Sequence, residues 1–367
     1  MQESKVSRRL KETTAPEVNE YIYRPRLEGF AAGFDNLGNV NKAHIVMLCE
    51  QGLIRGEHAA VLAKGVLDME AAGPDVVTLD PSREDAYFNY EAHLIELIGT
   101  DIGGRLHTGR SRNDILATLD RLRCREVLMD LVDALIQVRQ TALDNAGKYA
   151  EVVMPGYTHL QPAQPITYGY YLAAVEQALE RDCQRLTQTL ASMNQSPLGA
   201  AAFAGTPFAI DRARTAELLG FDGYLDNALD AVGSRDFILE SLSHLSLLSV
   251  FWSRVAQDYF VWSTNEFSLI DFPDSVAATS SIMPQKKNPT VLEYLKGRCG
   301  HIVGLLMGAS ITIKGSNFSH TGDANREGTR GFWEAAEESL RCLKLLDLVL
   351  RTATPNVELG VKRAGED

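Results

Sequence analysis

The stretch 115–149, ILATLDRLRCREVLMDLVDALIQVRQTALDNAGKY, decides the fold class of this chain. It holds no proline and a single glycine, so little in it would interrupt a helix. Its apolar residues recur at helical spacing: Leu119, Leu122, Leu128, Leu131, Leu135, Val138 and Ala142. One helix face is therefore apolar over a length well beyond the mean of about 11–12 residues for globular helices. Such a helix is typical of an elongated bundle.

Most of the remaining chain is also predicted to be helical. The other predicted helices cover Asn41–Leu53, Glu57–Met69, Tyr90–Ile98, the run from Pro165 to Met193, Ser234–Thr264, the run from Pro289 to Ile313, and Thr329–Arg351. Ser234 and Asn288 are the expected N-caps of two of these helices. Strand-like runs between the helices are lacking, which excludes a βαβ sheet. We therefore expect a mainly all-α fold.

The composition limits the classes of function. Lys and Arg number 36 against 48 Asp and Glu, a net charge of −12, and 45% of the residues are hydrophobic. A nucleic-acid partner needs a basic face and a membrane span needs about 18 consecutive apolar residues, and the sequence offers neither. Met1–Lys11 is polar and carries no apolar signal segment. We predict a cytoplasmic protein with no nucleic-acid or membrane partner.

The cysteines and histidines give no sign of a metal site. The five cysteines are scattered and form no CxxC pair, which is typical of free thiols in a reducing compartment. No His or Cys pair has zinc spacing, and the glycine-rich motifs that bind nucleotides are missing. We expect neither a metal nor a cofactor.

The segment Thr279–Pro289, TSSIMPQKKNP, concentrates polar residues immediately before a predicted helix. The free N–H groups and the positive dipole end of that helix favour an anion. Lys286 and Asn288 would add a cation and a donor, which suits a reaction that builds negative charge on a substrate carboxylate. The alternative is a serine-rich turn with solvated lysines.

A second loop suited to anions is HTGRSRND at 107–114. Arg112 can hold a carboxylate through two hydrogen bonds, and Ser111 and Asn113 can donate to it. The loop can also be the start of the long helix, capped by Asn113 or Asp114. The two interpretations are compatible.

The segment Gly156–Pro165, GYTHLQPAQP, places His159 in a proline-rich loop. Histidine titrates near neutral pH and can act as a general acid or base, although a lone loop histidine is usually only a hydrogen-bonded surface residue. Glu293 falls early in the Pro289 helix, where it can orient a histidine or interact with the helix dipole. His107 is more easily explained as a structural residue than as a catalytic one.

These motifs together resemble a known family. Ser280–Pro289 resembles the signature loop of the aspartase/fumarase superfamily. Other motifs are similar to its argininosuccinate lyase branch, and these are Leu106–Asp114, Gly156–Pro165, Leu198–Gly199, Gly205–Pro207, Asp211–Arg212 and Leu229–Val232. The resemblance covers roughly Tyr23 to Pro355, with the motifs in the family's order.

The resemblance implies a helical subunit in three parts. These are an N-terminal domain over 1–105, a central long-helix bundle with the active-site loops over 106–354, and over 355–367 the start of a C-terminal helical domain whose remainder is missing by family standards. It also implies a homotetramer in which three subunits contribute to each active site. The implied substrate is a small dicarboxylate whose C–N or C–O bond is cleaved with release of fumarate.

The resemblance also implies roles for individual residues. Ser280 resembles the general base that removes a proton next to a carboxylate, and Lys286 and Asn288 would stabilise the resulting aci-carboxylate. His159 and Glu293 resemble the pair linked to proton delivery to the departing nitrogen. The positions that match carboxylate binding are Ser111, Asn113, Thr158 and Ser281, with Arg112 among them. The segment 277–289 is expected to close over substrate as a lid.

One segment departs from the branch that it resembles. Residues 316–328 are SNFSHTGDANREG, where argininosuccinate lyases usually have LPLAYNKDLQEDK. His320 replaces a tyrosine, Asn325 a glutamine and Gly328 a lysine at positions that line the substrate, so His320 and Asn325 are expected to contact a different amine.

A site built to bond one substrate rejects another that lacks the matching groups. The leading hypothesis is therefore a C–N lyase of the ethylenediamine-N,N′-disuccinate (EDDS) lyase type, acting reversibly on an N-substituted L-aspartate. Argininosuccinate lyase is the alternative, and a catalytically silent crystallin-like protein is a third.

Overall fold

The computed structural model describes residues 12–366. Met1–Lys11 and Asp367 lie outside the described residues, and so does the prediction made for the N-terminal segment. Within the described residues the chain is mainly helical, and the expected all-α fold built from long helices is confirmed.

The α-helices of residues 12–366 are α1 (Pro16–Val18), α2 (Phe30–Glu50), α3 (Gly56–Ala72), α4 (Ala86–Ile98), α5 (Thr100–Gly103), α6 (Arg112–Lys148), α7 (Tyr168–Met193), α8 (Arg212–Leu218), α9 (Ala228–Gly233), α10 (Asp236–Trp262), α11 (Thr290–Ile313), α12 (Gly328–Thr352) and α13 (Val357–Ala364). Short π-helical turns are Asn19–Tyr23 and Asp323–Glu327. None of the helices in this part of the chain is long and apolar enough to cross a membrane.

The strands are short and pair two by two. They are β1 (Val153–Thr158), β2 (Gln161–Thr167), β3 (Gln195–Ser196), β4 (Gly223–Tyr224), β5 (Ile270–Asp271), β6 (Ala278–Thr279), β7 (Lys287–Asn288) and β8 (Thr354–Pro355). The pairs β1–β2, β5–β8 and β6–β7 are antiparallel, and β3–β4 is parallel.

The chain divides into two compact units. Unit 1 consists of Met1–Arg125, as far as it is described, with Asn194–Ser234 and Asn317–His320. Unit 2 consists of Glu126–Met193, Arg235–Ser316 and Thr321–Asp367. The three-part division at residues 105 and 354 stays a prediction.

Unit 1 is built around a core formed mainly by α2, α3 and α4. Its fully buried side chains include Phe34, Leu37, Leu62, Val66, Met69, Tyr87, Tyr90 and Leu94. Leu119 and Leu122 of α6 belong to the same cluster, and so does Leu198, which lies just after β3 in the chain. Burial of each side chain of this size contributes roughly 1.5–3 kcal/mol to the free energy of folding. This core therefore holds in place the start of α6, the helix into which the 107–114 loop leads.

Unit 2 contains the predicted bundle of long helices. Helices α7, α10, α11 and α12 pack against one another. The hydroxyls of Tyr168 on α7 and Tyr259 on α10 are joined by a buried 2.7 Å hydrogen bond. Arg139 of α6 is ion-paired at 2.7 Å with Glu176 of α7. The bundle carries the other two candidate loops, at 156–165 and 277–289.

The start of the first predicted helix is wrong. Helix α2 begins at Phe30 rather than Asn41, because Phe30, Phe34 and Leu37 already lie on its buried face. Glycines at 33 and 38 obscure this pattern in the sequence, since glycine weakens a helix prediction.

Both expected N-caps are also wrong. Ser234 is the C-cap residue of α9, and α10 begins at Asp236. Asn288 belongs to β7, and its side chain donates to the Thr279 carbonyl at 3.3 Å, so it is not available to cap α11.

The expectation that strands are lacking is wrong for residues 153–167. The β1–β2 hairpin pairs Pro155 with Pro165 and Tyr157 with Pro162. Proline lacks an N–H donor and argues against a strand inside a sheet. A two-stranded ribbon leaves one edge of each strand unpaired, however, so prolines can be accommodated there.

Candidate active site

The 107–114 loop lies in unit 1 and leads directly into α6. Ser111 immediately precedes the helix, and its Oγ accepts a hydrogen bond from the Asn113 N–H at 3.4 Å. The Asp114 carboxylate accepts in turn from the Ser111 N–H at 2.9 Å. This reciprocal pattern resembles a capping box. Ser111 is therefore the capping residue of α6. The sequence predicts Asn113 or Asp114 as the cap, but neither of them caps the helix alone.

Asp114 also holds a second loop in place. Its other carboxylate oxygen accepts from the N–H groups of Gly199 at 2.9 Å and Ala201 at 2.8 Å. Burial raises the pKa of Asp114 to about 6, although the three backbone donors act in the opposite direction. Gly199 and Ala201 have positive φ angles of 86° and 55°. The 198–201 loop is therefore fastened to the start of α6.

Further contacts join the same two motifs. Asn113 Nδ2 donates to the carbonyl of Ala202 at 3.0 Å. A Cβ on Gly109, which has a φ of 76°, would lie 2.9 Å from Ile210 Cγ2. Arg212 donates to the carbonyl of Leu198 at 3.0 Å. Unit 1 thus brings together the 106–114 and 198–212 motifs, which are far apart in the sequence.

Arg112 is held by two carboxylates. Its Nη1 donates to Glu84 at 2.8 Å and to Asp85 at 3.0 Å, and its guanidinium carbon lies 4.1 Å from the centre of the Phe88 ring. The structure records no hydrogen bond from its Nε or Nη2 within residues 12–366. Because guanidinium has five N–H donors, Arg112 can be oriented by these acids and still bind a substrate carboxylate.

His107 lies in a polar cluster that adjoins the loop. Its Nδ1 is 2.9 Å from the Tyr87 hydroxyl and 3.2 Å from Glu91 Oε1. Arg110 donates to Asn41 Oδ1 at 2.6 Å and to Tyr87 at 3.3 Å. Burial alone would raise the pKa of Glu91, but His107, Tyr87 and Arg110 outweigh it and the pKa is lowered. These contacts support the interpretation of His107 as a structural residue.

His159 lies at the tip of the β1–β2 hairpin in unit 2. The register pairs Thr158 with Gln161, so His159 and Leu160 form the two-residue turn. Both have positive φ, 56° and 60°, as in a type I′ turn, which favours Asn and Gly. A left-handed conformation costs a non-glycine residue about 1–2 kcal/mol, and such strain is often found at functional sites. Thr158 and His159 are exposed.

The signature loop is the connection between β6 and β7, also in unit 2. Ser280 Oγ accepts a hydrogen bond from the Met283 N–H at 3.1 Å. Lys287 is ion-paired with Asp271 and Asp274, both at 3.3 Å. Lys286 is exposed, and no ion pair is recorded for it in the part of the chain that the structure describes. The two neighbouring lysines therefore differ. Lys287 holds the loop in place through its ion pairs, whereas Lys286 exposes its positive charge to any anionic ligand.

In the divergent segment 316–328, Gly328 lies in a close packing contact. A Cβ on Gly328 would lie 2.4 Å from Ile313 Cγ1. The lysine that the family has there would therefore need this contact to move. Asn325 lies in the π-helical turn that precedes α12 and is only 5% exposed, and His320 is half-buried.

The predicted site residues fall into separate local groups. Consecutive residues at the start of α6 form one group: Ser111, Arg112 and Asn113. The β6–β7 hairpin carries another: Ser280, Ser281, Lys286 and Asn288. No hydrogen bond or ion pair is recorded for the side chains of His159 and Glu293 among residues 12–366, so their predicted pairing stays a prediction.

The role of Asp114 was not predicted from the sequence. Its signal was present, since Ser111 followed three residues later by an acid is a capping pattern. The contacts of Asp114 with Gly199 and Ala201 had no local signal. Tyr157 and Arg363 were not predicted either. Tyr157 lies next to the turn that contains His159, and Arg363 lies near the end of α13.

Comparisons with known proteins identify the class of protein. Residues 40–304 match the model of a family described as lyase. Argininosuccinate lyase 1 of Shouchella clausii is 42% identical over 347 residues, which cover 94% of this chain and 70% of that relative. Argininosuccinate lyase of Methanosarcina acetivorans is 42% identical over 349 residues, with 95% and 70% covered. The crystal structure of EDDS lyase in complex with formate matches with a TM-score of 0.83 and 31% identity, over 96% of this chain and 69% of that one.

The chain therefore belongs to this lyase family, within the aspartase/fumarase superfamily. It is a carbon–nitrogen lyase. The resemblance inferred from the motif loops is confirmed, and so is the helical-bundle fold that it implied.

Proposed function

We propose that this carbon–nitrogen lyase releases fumarate from an N-substituted L-aspartate, and that argininosuccinate is its substrate. The support is the 42% identity to two argininosuccinate lyases over more than nine-tenths of the chain. EDDS lyase, the first choice from segment 316–328, is 31% identical and becomes the second candidate.

The reaction is a β-elimination. A base removes a proton from the carbon next to one carboxylate, and the electrons of the broken C–H bond form an aci-carboxylate. Those electrons then make the C=C bond of fumarate while the C–N bond breaks. The nitrogen leaves with its bonding electrons and a proton from a general acid. Atoms and charges balance without a cofactor.

The signature loop supports the proposal because it supplies both a general base and a positive electrostatic field. The Met283 N–H that donates to Ser280 Oγ favours the deprotonated oxygen. Lys286 adds an exposed positive charge, and the loop leads into the positive N-terminal end of α11. We assign Ser280 as the base and Lys286 with Asn288 as the groups that stabilise the aci-carboxylate.

The other predicted residues bind the substrate and the departing amine. Ser111, Arg112 and Asn113 bind a carboxylate, and Thr158 and Ser281 add donors from the two hairpins. His159, oriented by Glu293, serves proton transfer to the nitrogen. His320 and Asn325 contact the amine half.

We extend the proposal to a homotetramer with active sites shared by three subunits. One face of α11 supports this because its glycines leave open space, with no atom of residues 12–366 within 4 Å of an added Cβ: Gly297, Gly300, Gly304 and Gly308. Met307 and Ile311 on that helix are 54% and 59% exposed. Exposed apolar side chains beside glycines suit close packing of another helix. The five free cysteines support a cytoplasmic location.

EDDS-type chemistry remains the second candidate because of one structural observation. Gly328 packs against Ile313, so the family's lysine is not simply missing but is sterically disfavoured. Loss of that lysine, together with His320 and Asn325 at the neighbouring positions, changes the groups expected to face the amine half, which suits an amine half different from that of argininosuccinate.

A substrate panel tests the proposal. Fumarate release is followed by absorbance with argininosuccinate and with EDDS at equal concentrations. We expect turnover of argininosuccinate at about 1–10³ per second and at least tenfold weaker turnover of EDDS. The reverse order would establish the second candidate, and no fumarate from either adduct would contradict both.

The assignment of the base is tested with a matched pair of serine variants. Ser280→Ala should lower kcat by about 10²–10⁴-fold, the range typical of a lost general base. Ser275→Ala changes an exposed serine on the same stretch of chain and should leave kcat unchanged. Equal activities of the two variants would remove Ser280 from the mechanism.

A further inference from the structure

Helix α13 packs directly on the hairpin that carries His159. Gly360 is the buried residue of α13. A Cβ on Gly360 would lie 2.5 Å from the carbonyl oxygen of Val153, the first residue of β1. Real Cβ atoms do not approach backbone this closely, so only glycine permits the observed contact. The hairpin and α13 therefore form a closely fitted pair.

Arg363, one turn further along α13, joins the hairpin to a neighbouring turn. Its Nη2 donates to the carbonyl of Glu266 at 2.8 Å. Arg363 also acts on the Tyr157 hydroxyl, since it opposes the rise that burial causes in the pKa of Tyr157. Its guanidinium carbon lies 5.9 Å from the centre of the Phe267 ring. The rings of Tyr157 and Phe267 are 5.9 Å apart. The Tyr157–Phe267 ring contact thus joins β1 to the turn at 264–268, and Arg363 holds that turn against α13.

Tyr157, on which Arg363 acts, lies two residues before His159 in the turn of the hairpin. Tyr157 is followed by Thr158 and then His159, whose positive φ is unfavourable for a non-glycine residue. A strained turn keeps one conformation only where its surroundings over-determine it. The direction in which His159 points therefore depends on how firmly the end of β1 is held.

We propose that Arg363 and Gly360 are positioning residues for His159, which act by fixing β1 against α13. The inference rests on the proposed function, because it takes His159 as the group that serves proton transfer. Residues 357–364 lie outside the part of the chain that matches the family model. Helix α13 would thus support catalysis through the hairpin, and it would not itself contact the substrate.

The first experiment separates positioning from binding. Arg363→Ala should lower kcat by about 10–100-fold, the effect expected when a catalytic group is misplaced by about 1 Å. KM should change less than kcat, because Thr158 is the one proposed carboxylate-binding residue on this hairpin, and Ser111, Asn113 and Ser281 lie elsewhere. Arg363→Lys, which can still donate one hydrogen bond, should recover part of kcat. Lys362→Ala changes an exposed neighbour on α13 and should match the wild type.

Gly360→Ala and Tyr157→Phe give independent support. Gly360→Ala forces α13 and β1 apart, and Tyr157→Phe removes only the hydroxyl that Arg363 contacts. Both should lower kcat with little change in KM. Tyr157→Phe retains the ring, so it keeps the proposal testable if Arg363→Ala fails to fold. A kcat equal to wild type in Tyr157→Phe and Arg363→Lys, with no folded Arg363→Ala, would overturn the proposal.

The closing experiment combines Arg363→Ala with His159→Asn. If Arg363 acts through His159, the double variant should have the kcat of His159→Asn within twofold. A further loss equal to that of Arg363→Ala in the wild type would show that Arg363 acts elsewhere and would overturn this inference alone. If His159→Asn itself keeps full kcat, the role proposed for His159 fails, and the positioning role fails with it.

Discussion

The buried carboxylate of Asp114 accepts a 2.9 Å hydrogen bond from the N–H of Gly199, across 85 positions of sequence. The same carboxylate accepts from Ser111 and Ala201. It therefore joins the cap of α6 to the loop that begins at Leu198, and it does so next to the residues proposed to bind the substrate carboxylate. Both the stability of unit 1 and the geometry of that loop depend on this one side chain.

The raised pKa of Asp114 predicts how stability changes with pH. The pKa is about 6 in the folded protein against 3.8 for the unperturbed group. Between these values the folded state binds more protons than the unfolded state, so this contribution is fully present below pH ~4 and is lost as pH rises through ~6. The shift corresponds to about 3 kcal/mol.

Urea unfolding of the wild type and of Asp114→Asn at pH 4.5 and pH 7.5 measures this effect. The difference in free energy of unfolding between the two proteins should change by about 2 kcal/mol, with the wild type losing stability relative to the variant at the higher pH. Asp222→Asn, at an exposed position, serves as the control. A difference that does not vary with pH would mean that the backbone donors cancel the effect of burial, and a difference of opposite sign would mean that they outweigh it.

Arg112 is predicted to stabilise unit 1 independently of substrate. Arg112→Ala leaves the Asp85 carboxylate, whose side chain is 2% exposed, without this cation. Because Arg112 is itself about a third exposed, we expect a loss of about 2–3 kcal/mol, below that of a fully buried pair. Glu84→Gln, at the more exposed acid, should cost less than about 1 kcal/mol. Denaturant unfolding at one fixed protein concentration compares them, and equal losses would contradict the interpretation.

The long helices could be predicted from sequence because their signal is local. The apolar stripe in 115–149 predicts a helix that the structure places at Arg112–Lys148. The β1–β2 hairpin could not be predicted in the same way. Its prolines oppose a strand assignment, and its turn has His159 and Leu160 where a type I′ turn favours Asn and Gly.

The residue types of the site were also visible in the sequence, but their arrangement was not. Ser280, Lys286 and Arg112 could be proposed from motif loops. That Lys287 is neutralised while Lys286 is exposed follows from Asp271 and Asp274, whose positions depend on the fold of the chain before β6. Long-range contacts of this kind have no periodic or spacing signal.

The turn at the tip of the hairpin is predicted to store strain. Leu160 is 65% exposed and has a φ of 60°, so Leu160→Gly removes strain while it loses little burial. Its free energy of unfolding should be equal to that of the wild type or up to about 1 kcal/mol higher. Leu67→Gly is the matched control, at a 53% exposed position inside α3, and should cost about 1 kcal/mol. Similar losses in both variants, by thermal unfolding, would contradict the strain.

The open glycine face of α11 gives a prediction whose sign depends on assembly. Within the described part of one chain, nothing lies within 4 Å of a Cβ added to Gly304. Helix propensity alone would therefore make Gly304→Ala more stable by up to about 1 kcal/mol. If another helix packs on this face, as the proposed tetramer requires, the added methyl group separates the helices and weakens association.

Gly304→Leu enlarges this effect. Sedimentation should give a tetramer for the wild type, and smaller species for Gly304→Leu with loss of activity, because the proposed site draws on three subunits. Gly147→Ala changes an exposed glycine in α6, where again no described residue lies within 4 Å of the added Cβ, and it should keep the tetramer. A Gly304→Leu protein that sediments as the wild type does and remains fully active would show that no subunit covers this face, and an active monomer would contradict the shared site.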